Sequence, residues 1–435
     1  METVFNPLSI IFEKPDMVST KWNDGRNEAR NEMAKASLEP ITFCEPLMVA
    51  EDSPHFGEIN ELATLVIGES MALTASVRET LRPVFTDIVR AANCYYSNLI
   101  ERHETHPIST ERALKGDFEV DPKKCDLQLE AMAHIEVQRW IDGGGLGSRH
   151  PMDPEAICEM HQRFCKNLPE SLLLVTDPET GEKRKIQPGR LREGFVQVGT
   201  HVPVSAPALP SFLDHMHRRY NVAGKNTGVL SSAYAHHRLA WVHPFEDLNG
   251  RVTRMVSHAM LLRSAGSEGL WSVSRGLALD SEGYKRQLAA ADERRRGDRD
   301  GRGNLSEERL ASFARFFLTT CLDQIGFMRG LFEPEVLTDR IVEWAARGVS
   351  EKRLRKGSDV VMKIAAIQGH IDRRMTETIL NVSDRGACNV LSDLVKASAL
   401  APTDGHVYKL SMNSELALDW MLGLIPPKPE GSSSH

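Results

Sequence analysis

Residues 243–254 read His-Pro-Phe-Glu-Asp-Leu-Asn-Gly-Arg-Val-Thr-Arg. They bring a titratable base, a carboxylate, a glycine turn and two arginines into one short stretch. An ordinary histidine titrates near about 6.5, so His243 can accept a proton at neutral pH. Asp247 offers a hard oxygen of the kind that Mg²⁺ shares with phosphates. Asn249 and Gly250 form a tight turn ahead of an apolar periodic run, Val252, Met255, Val256 and Met260. That order places backbone N–H groups and a helix N-terminus where an anion would sit. Arg251 and Arg254, three apart, share a helix face and can grip one polyanion. Together these are the parts that transfer chemistry on a nucleotide phosphate requires.

The stretch resembles the signature of the Fic family, HPFx[DE]GN[GK]RxxR. Eight of its nine specified positions match: His243, Pro244, Phe245, Asp247, Asn249, Gly250, Arg251 and Arg254; Leu248 stands where glycine is usual. The resemblance implies transfer of AMP from ATP to a Ser, Thr or Tyr hydroxyl of a target protein, and of the chain itself, with release of pyrophosphate. It makes His243 the catalytic base and Asp247 the Mg²⁺ ligand. It assigns Asn249, Gly250 and Arg251 to the phosphates, Arg254 to the γ-phosphate, and Phe245 to anchoring the loop. A leucine at 248 costs roughly 1–2 kcal/mol if the backbone there is left-handed, and only narrows the pocket if it is not.

A second match lies upstream. Residues 97–106, Ser-Asn-Leu-Ile-Glu-Arg-His-Glu-Thr-His, resemble the inhibitory motif [ST]xxxE[GN] of one Fic class, with Arg102 where glycine or asparagine is usual. Ser97 and Glu101 share a helix face. The resemblance implies that Glu101 pairs with Arg254 and denies it to the γ-phosphate; read alone, Glu101 is an ordinary surface charge.

Residues 187–201 show a Pro-Gly turn and then alternating Phe195, Val196, Gln197 and Val198. This reads as a short hairpin, and it looks like the family's flap, which docks a target segment by strand addition. Tyr284 and Leu288, four apart on a helix, resemble the wall that covers the adenine, with core packing as the alternative. Two metal patterns are set aside. Asp298–Asn304 starts like a calcium loop but has Arg302 and Arg309 where oxygen ligands are needed, so it reads as a turn with Ser306 capping the next helix. His236 and His237 lack a zinc spacing and read as structural. The run Gly143–Gly147 lacks the strand and helix context of a dinucleotide site.

The fold expected is mainly α: a Fic-type helical core with a short β-hairpin flap, plus a C-terminal winged helix-turn-helix. Helical periodicity covers 78–103, 125–141, 154–167, 209–220, 227–240, 250–264, 281–292 and 306–330. The expected domains are an irregular N-terminal module over 1–75 that packs on the core, the Fic domain with its inhibitory helix over 76–330, the winged-helix domain over 331–425, and a disordered tail over 426–435. In the C-terminal module, Arg385, Asn389 and Lys396 face Asp384 and Asp393 on one helix. DNA binding needs a basic face there, so a protein partner or a dimer contact is as fitting as DNA. A homodimer is a further arrangement that the resemblance allows.

A net charge of −7 gives no global attraction to nucleic acid or anionic membrane. No apolar run reaches the roughly 20 residues a bilayer requires, so no membrane partner is expected. The first residues lack a secretion signal's pattern. Seven scattered cysteines without a CxxC pair fit free thiols and a cytoplasmic setting. Two other functions stay open on sequence: a nucleotide-sensing transcriptional regulator with a weak Fic core, and a Fic enzyme that removes AMP or uses another donor.

Overall fold

The computed structural model describes residues 39–176, 181 and 183–427. The chain divides between Pro40 and Ile41 into two compact units, and the first contributes only two described residues. Most of the expected N-terminal module (1–38) and of the expected tail (428–435) lies outside the described residues.

The second unit is built from helices α1 (Phe56–Ser76), α2 (Arg82–Ile100), α3 (Pro107–Leu114), α4 (Pro122–Asp142), α5 (Pro154–Cys165), α6 (Leu209–Tyr220), α7 (Lys225–Val242), α8 (Asn249–Ala265), α9 (Val273–Leu279), α10 (Ser281–Ala291) and α11 (Glu307–Phe332). Then come α12 (Pro334–Ser350), α13 (Ser358–Gln368), α14 (Arg373–Leu380), α15 (Asp384–Lys396) and α16 (Ser414–Trp420). Local signals start many of these helices. Asp121 and Asp153 each accept N–H bonds at a helix start that is followed by proline, and Ser306 caps α11 by accepting from Arg309 N–H. Asp300, in the discounted calcium-like loop, takes the Glu308 and Arg296 N–H groups and the Ser306 hydroxyl, which makes it a capping residue.

Helix α11 is the axis of the core. It buries Phe313, Phe317, Leu318, Cys321 and Ile325, and it packs against α1 and α7. Helix α1 corrects the expected irregular stretch before residue 76: Ile59, Ala63, Val66 and Leu73 make one buried apolar stripe. Beside it, α7 and α8 pack as an antiparallel pair, and their connection is the His243–Leu248 loop. Apolar packing continues without a break from Cys44 through Phe332 and Trp344 to Ile425, so nothing in the core marks residue 330 as a boundary.

Strands are few. β1 (Leu174–Thr176) and β2 (Lys183–Lys185) form an antiparallel pair with Val175 opposite Arg184. The hairpin expected over 187–201 is not there; that segment is irregular apart from one bridge between Val198 and His201. The strand pair sits just upstream, and the alternation of Phe195–Val198 reflects exposure on a loop. Near the C-terminus β3 (His370–Asp372), β4 (Leu400–Pro402) and β5 (Val407–Leu410) form a sheet ordered β3-β5-β4, flanked by α13, α14 and α15.

Candidate active site

Helix α7 ends where His243 turns left-handed (φ 52), its N–H still bonded to the Leu239 carbonyl at 3.1 Å. The loop is then fixed by contacts from four residues, His161, Asn249, Arg192 and Glu246. Phe245 is fully buried, and the His161 ring stacks on it at 4.0 Å between centroids and 2° between planes. The Asn249 side chain closes the loop on itself: its Oδ1 accepts from Phe245 N–H (2.9 Å) and its Nδ2 donates to the Phe245 carbonyl (2.8 Å). Arg192, only 4% exposed, donates from Nε to the His243 carbonyl (2.8 Å) and from its other nitrogens to the Gly194 and Val204 carbonyls. Its own N–H donates to the Pro244 carbonyl (2.9 Å). Glu246 in turn accepts from Gly194 N–H at 3.2 Å.

Leu248 resolves the fork left by the sequence. It is left-handed, with φ 67, and 3% exposed. Its N–H donates to Asp247 Oδ1 at 2.6 Å. The strain of roughly 1–2 kcal/mol is therefore real, and burial of the leucine opposes it. Replacing Leu248 with glycine removes the strain but also a buried side chain worth about 2–5 kcal/mol, and glycine adds chain entropy to the unfolded state. Burial wins, so Leu248→Gly is expected to lower the melting temperature. An increase in thermal stability would show that backbone strain dominates at this position.

His243 is held well below the ordinary histidine range, at about 4, mainly by burial and then by Arg192. The imidazole is therefore neutral at pH 7 and free to accept a proton. Asp247 keeps 52% of its side-chain exposure. Desolvation by the walls around it, with the Glu101 charge, raises its carboxyl above the usual range against the opposing Leu248 N–H. One open carboxylate next to an anion site suits Mg²⁺, which is commonly held by one or two carboxylates together with substrate phosphates. Among the described residues, no three His, Cys, Asp or Glu side chains converge to form a protein-only metal site.

The mouth of helix α8 holds a carboxylate. Arg254, 3% exposed, donates from Nε to Ser97 Oγ (2.8 Å), and from Nη2 to the Ser97 carbonyl (3.0 Å) and Glu101 Oε1 (2.6 Å). Burial pushes Glu101 up, but the charge and hydrogen bond of Arg254, with Arg251 and Lys285, outweigh it and leave the carboxyl below its usual range. Glu101 lies so close over the first turn of α8 that a Cβ on Gly250 would fall 2.3 Å from its Oε1. Gly250 is glycine for that close approach. The carboxylate thus occupies the place at a helix N-terminus where a phosphate is favoured. Just beyond it, Arg102 is left-handed, with φ 62. Both departures from the two sequence motifs, Arg102 and Leu248, therefore sit where the backbone favours glycine.

Other expected site residues fall elsewhere. Tyr284 is 4% exposed, its hydroxyl 2.7 Å from His236 Nε2 and beside Arg254. That placement packs Tyr284 into the core behind the arginine. Leu288 is half-buried, with its carbonyl 3.1 Å from His237 Nε2. His236 and His237 bond to Ser257, Tyr284 and Asp292, as structural histidines do. Arg251 turns inward onto Glu130 of α4. Sequence reading passed over Glu130, Arg192 and His161, because no spacing ties them to the loop they hold.

Residues 151–261 match the family model described as Fic/DOC family. Over those residues the chain is similar to Fic domains. Two curated relatives named "Protein adenylyltransferase Fic", from Drosophila persimilis and Aedes aegypti, are each 27% identical over 172 residues, or 39% of this chain and 31% and 32% of theirs. One of the same name from Nematostella vectensis is 27% identical over 177 residues, 37% of its length. The chain thus spans about a third of the curated relatives it matches. A solved Fic family protein from Desulfovibrio desulfuricans G20 aligns at 15% identity and a TM-score of 0.49, covering 84% of this chain and 98% of that one. The Fic match takes in His243 through Arg254 and ends before Tyr284; Ser97, Glu101 and Glu130 lie ahead of it.

Proposed function

We propose that the chain transfers AMP from ATP to a Ser, Thr or Tyr hydroxyl of a target protein and of itself, and that Glu101 holds it in a low-activity state. The observation that carries this reading is the Glu101 carboxylate on Arg254 and over Gly250, in an anion site one loop away from the neutral His243. The names of the relatives support the same reaction class. In this reading the target hydroxyl gives its proton to His243 while its oxygen bonds to the α-phosphorus. The bond from that phosphorus to the β-bridging oxygen breaks, and pyrophosphate leaves. Asp247 would hold Mg²⁺, whose contribution is to offset phosphate charge. The first N–H groups of α8 and Arg254 would take the phosphates once Glu101 withdraws. Asn249 shapes the loop rather than touching the nucleotide, since both of its side-chain polar atoms are engaged with Phe245.

The target would lie along residues 195–202, where Phe195, Val198 and Val202 are exposed, beside the loop that Arg192 and Glu246 tie to His243. The sheet β3-β5-β4 with its helices is read as a protein-docking module. Arg355 pairs with Asp393 (3.0 Å) and Arg373 with Asp384 (2.8 Å), so two neighbouring arginines are engaged by the carboxylates of α15, and that helix itself supplies only Arg385 and Lys396 toward the basic face that DNA requires.

The test uses the full chain, Mg²⁺ and ATP labelled at its α-phosphate. A charge-assisted hydrogen bond is worth about 1.5–3 kcal/mol, so Glu101→Gly is expected to raise label on protein by roughly 10–100-fold over the parent. Equal labelling of the two would remove the inhibitory role, and no label on either would remove AMP transfer.

A further inference from the structure

Glu130 lies in the middle of α4 and is 3% exposed. A carboxylate buried that deeply must be matched by positive charge and hydrogen bonds. Its two oxygens have different partners. Oε1 meets Arg251 Nη1, and Oε2 lies 2.7 Å from His103 Nδ1. Arg251 is itself 4% exposed and lies over the Phe164 ring at 5.6 Å. Its Nη2 is 4.0 Å from Asp247, and its Nε has no partner. An arginine with an unsatisfied nitrogen, drawn sideways into a helix wall, is not arranged to receive a phosphate.

The end of α2 connects the two arginines. Glu101 holds Arg254, and two residues later His103 covers Glu130, which holds Arg251. Between them the two carboxylates cancel both arginine charges at the mouth of α8. A triphosphate entering that mouth finds compensated charge until each carboxylate is displaced.

We propose that Glu130 is a second carboxylate latch, holding Arg251 away from the nucleotide phosphates as Glu101 holds Arg254, with the turn 101–103 closing both. The inference rests on the nucleotide reading above and adds the first arginine's partner to it. Glu130 is a positioning residue, acting on the phosphates through Arg251. Removing Glu101 alone then leaves the site half open. A merely structural buried pair predicts something different, since breaking it would weaken the fold and would not discriminate between ligands that differ only in their outer phosphates.

The experiment compares the Glu101→Gly chain with Glu101→Gly/Glu130→Gln, titrating ATP and AMP by calorimetry. Glutamine keeps the shape and a hydrogen-bond acceptor but removes the charge. Freeing Arg251 is expected to tighten ATP by about tenfold, the equivalent of one charge-assisted hydrogen bond, and to leave AMP within about twofold. Glu130→Asp, which keeps the charge, should return ATP affinity toward that of the single variant. If the glutamine form melts below the assay temperature, Glu130→Met, apolar and of similar volume, is scored by the same ATP-to-AMP contrast. ATP affinity that falls or stays equal, or that moves together with AMP, overturns the latch alone. Absence of ATP binding to every form overturns the nucleotide reading and the latch with it.

Discussion

Replacing His243 by alanine in the Glu101→Gly chain is expected to lower AMP transfer by roughly 10²–10⁴-fold, the usual worth of a positioned general base. ATP binding should change little, because the loop geometry is set by groups other than the imidazole. Asn249 ties Phe245 from both sides, His161 stacks on the phenyl ring, and Arg192 holds the His243 carbonyl rather than its ring. A second substitution separates chemistry from backbone strain. Residue 243 is left-handed, a conformation that asparagine tolerates better than most residues, so His243→Asn keeps the loop and loses the base. Both variants should fall together in turnover while retaining ATP affinity. An asparagine form with more than about a tenth of the parent rate would remove His243 from the role of base.

Acid is expected to unfold the protein steeply as the pH falls below 6. His134, His161 and His236 are each 1% exposed or less. Burial pushes them down to about 3, about 4 and about 3 respectively. In the unfolded chain the same rings titrate near about 6.5. Between those values the unfolded chain binds protons that the folded chain refuses, so stability falls as the pH falls, by about 1.4 kcal/mol per pH unit for each ring. Three rings give about 4 kcal/mol per unit, against a total stability of roughly 5–15 kcal/mol. Glu101 and Asp142, both held below the usual carboxylate range, act in the same direction at lower pH. The fold should be lost within about two units below 6.5, as followed by circular dichroism. His134 is the ring to replace, because neither of its nitrogens has a partner. His134→Leu should remove that ring's share, about 1.4 kcal/mol per pH unit, from the pH dependence without costing stability at pH 7. A parent chain equally stable at pH 7 and pH 4 would contradict this assignment.

What could be read from sequence follows from where the information sits. His243, Asp247, Asn249, Gly250, Arg251 and Arg254 stand on one turn and one helix start, so their spacing alone brings them together. Ser97 and Glu101 were legible because one helix turn separates them, and the structure sets both against Arg254. Glu130 was not legible: a glutamate in a helix between Leu129 and Ala131 reads as a solvated charge until its arginine is placed against it. Arg192 was hidden differently. Its guanidinium bonds backbone carbonyls of the loop, and carbonyls leave no mark on residue identity. The i,i+4 spacing of Tyr284 and Leu288 fits a wall and a core equally well, and the hydroxyl's contact with His236 favours core packing. The alternation of Phe195–Val198 points to a hairpin too late in the chain, because these residues bond only through a single bridge while the strand pair lies at 174–185.

The turn behind Glu101 also sets how firmly that carboxylate is kept in place. With glycine at 102 the closed turn would be free of strain, but the released segment would roam widely. Arginine at φ 62 reverses both conditions. Closure carries roughly 1–2 kcal/mol of strain, while the released segment has fewer conformations to lose, worth about 0.4–1 kcal/mol in favour of closure. Strain is the larger of the two. Wherever release takes residue 102 out of the left-handed region, the balance leaves the closed form less populated, by a few-fold, than it would be with glycine. On the proposed reading, the residue at this turn would adjust the resting occupancy of the site without being one of the groups assigned to the chemistry.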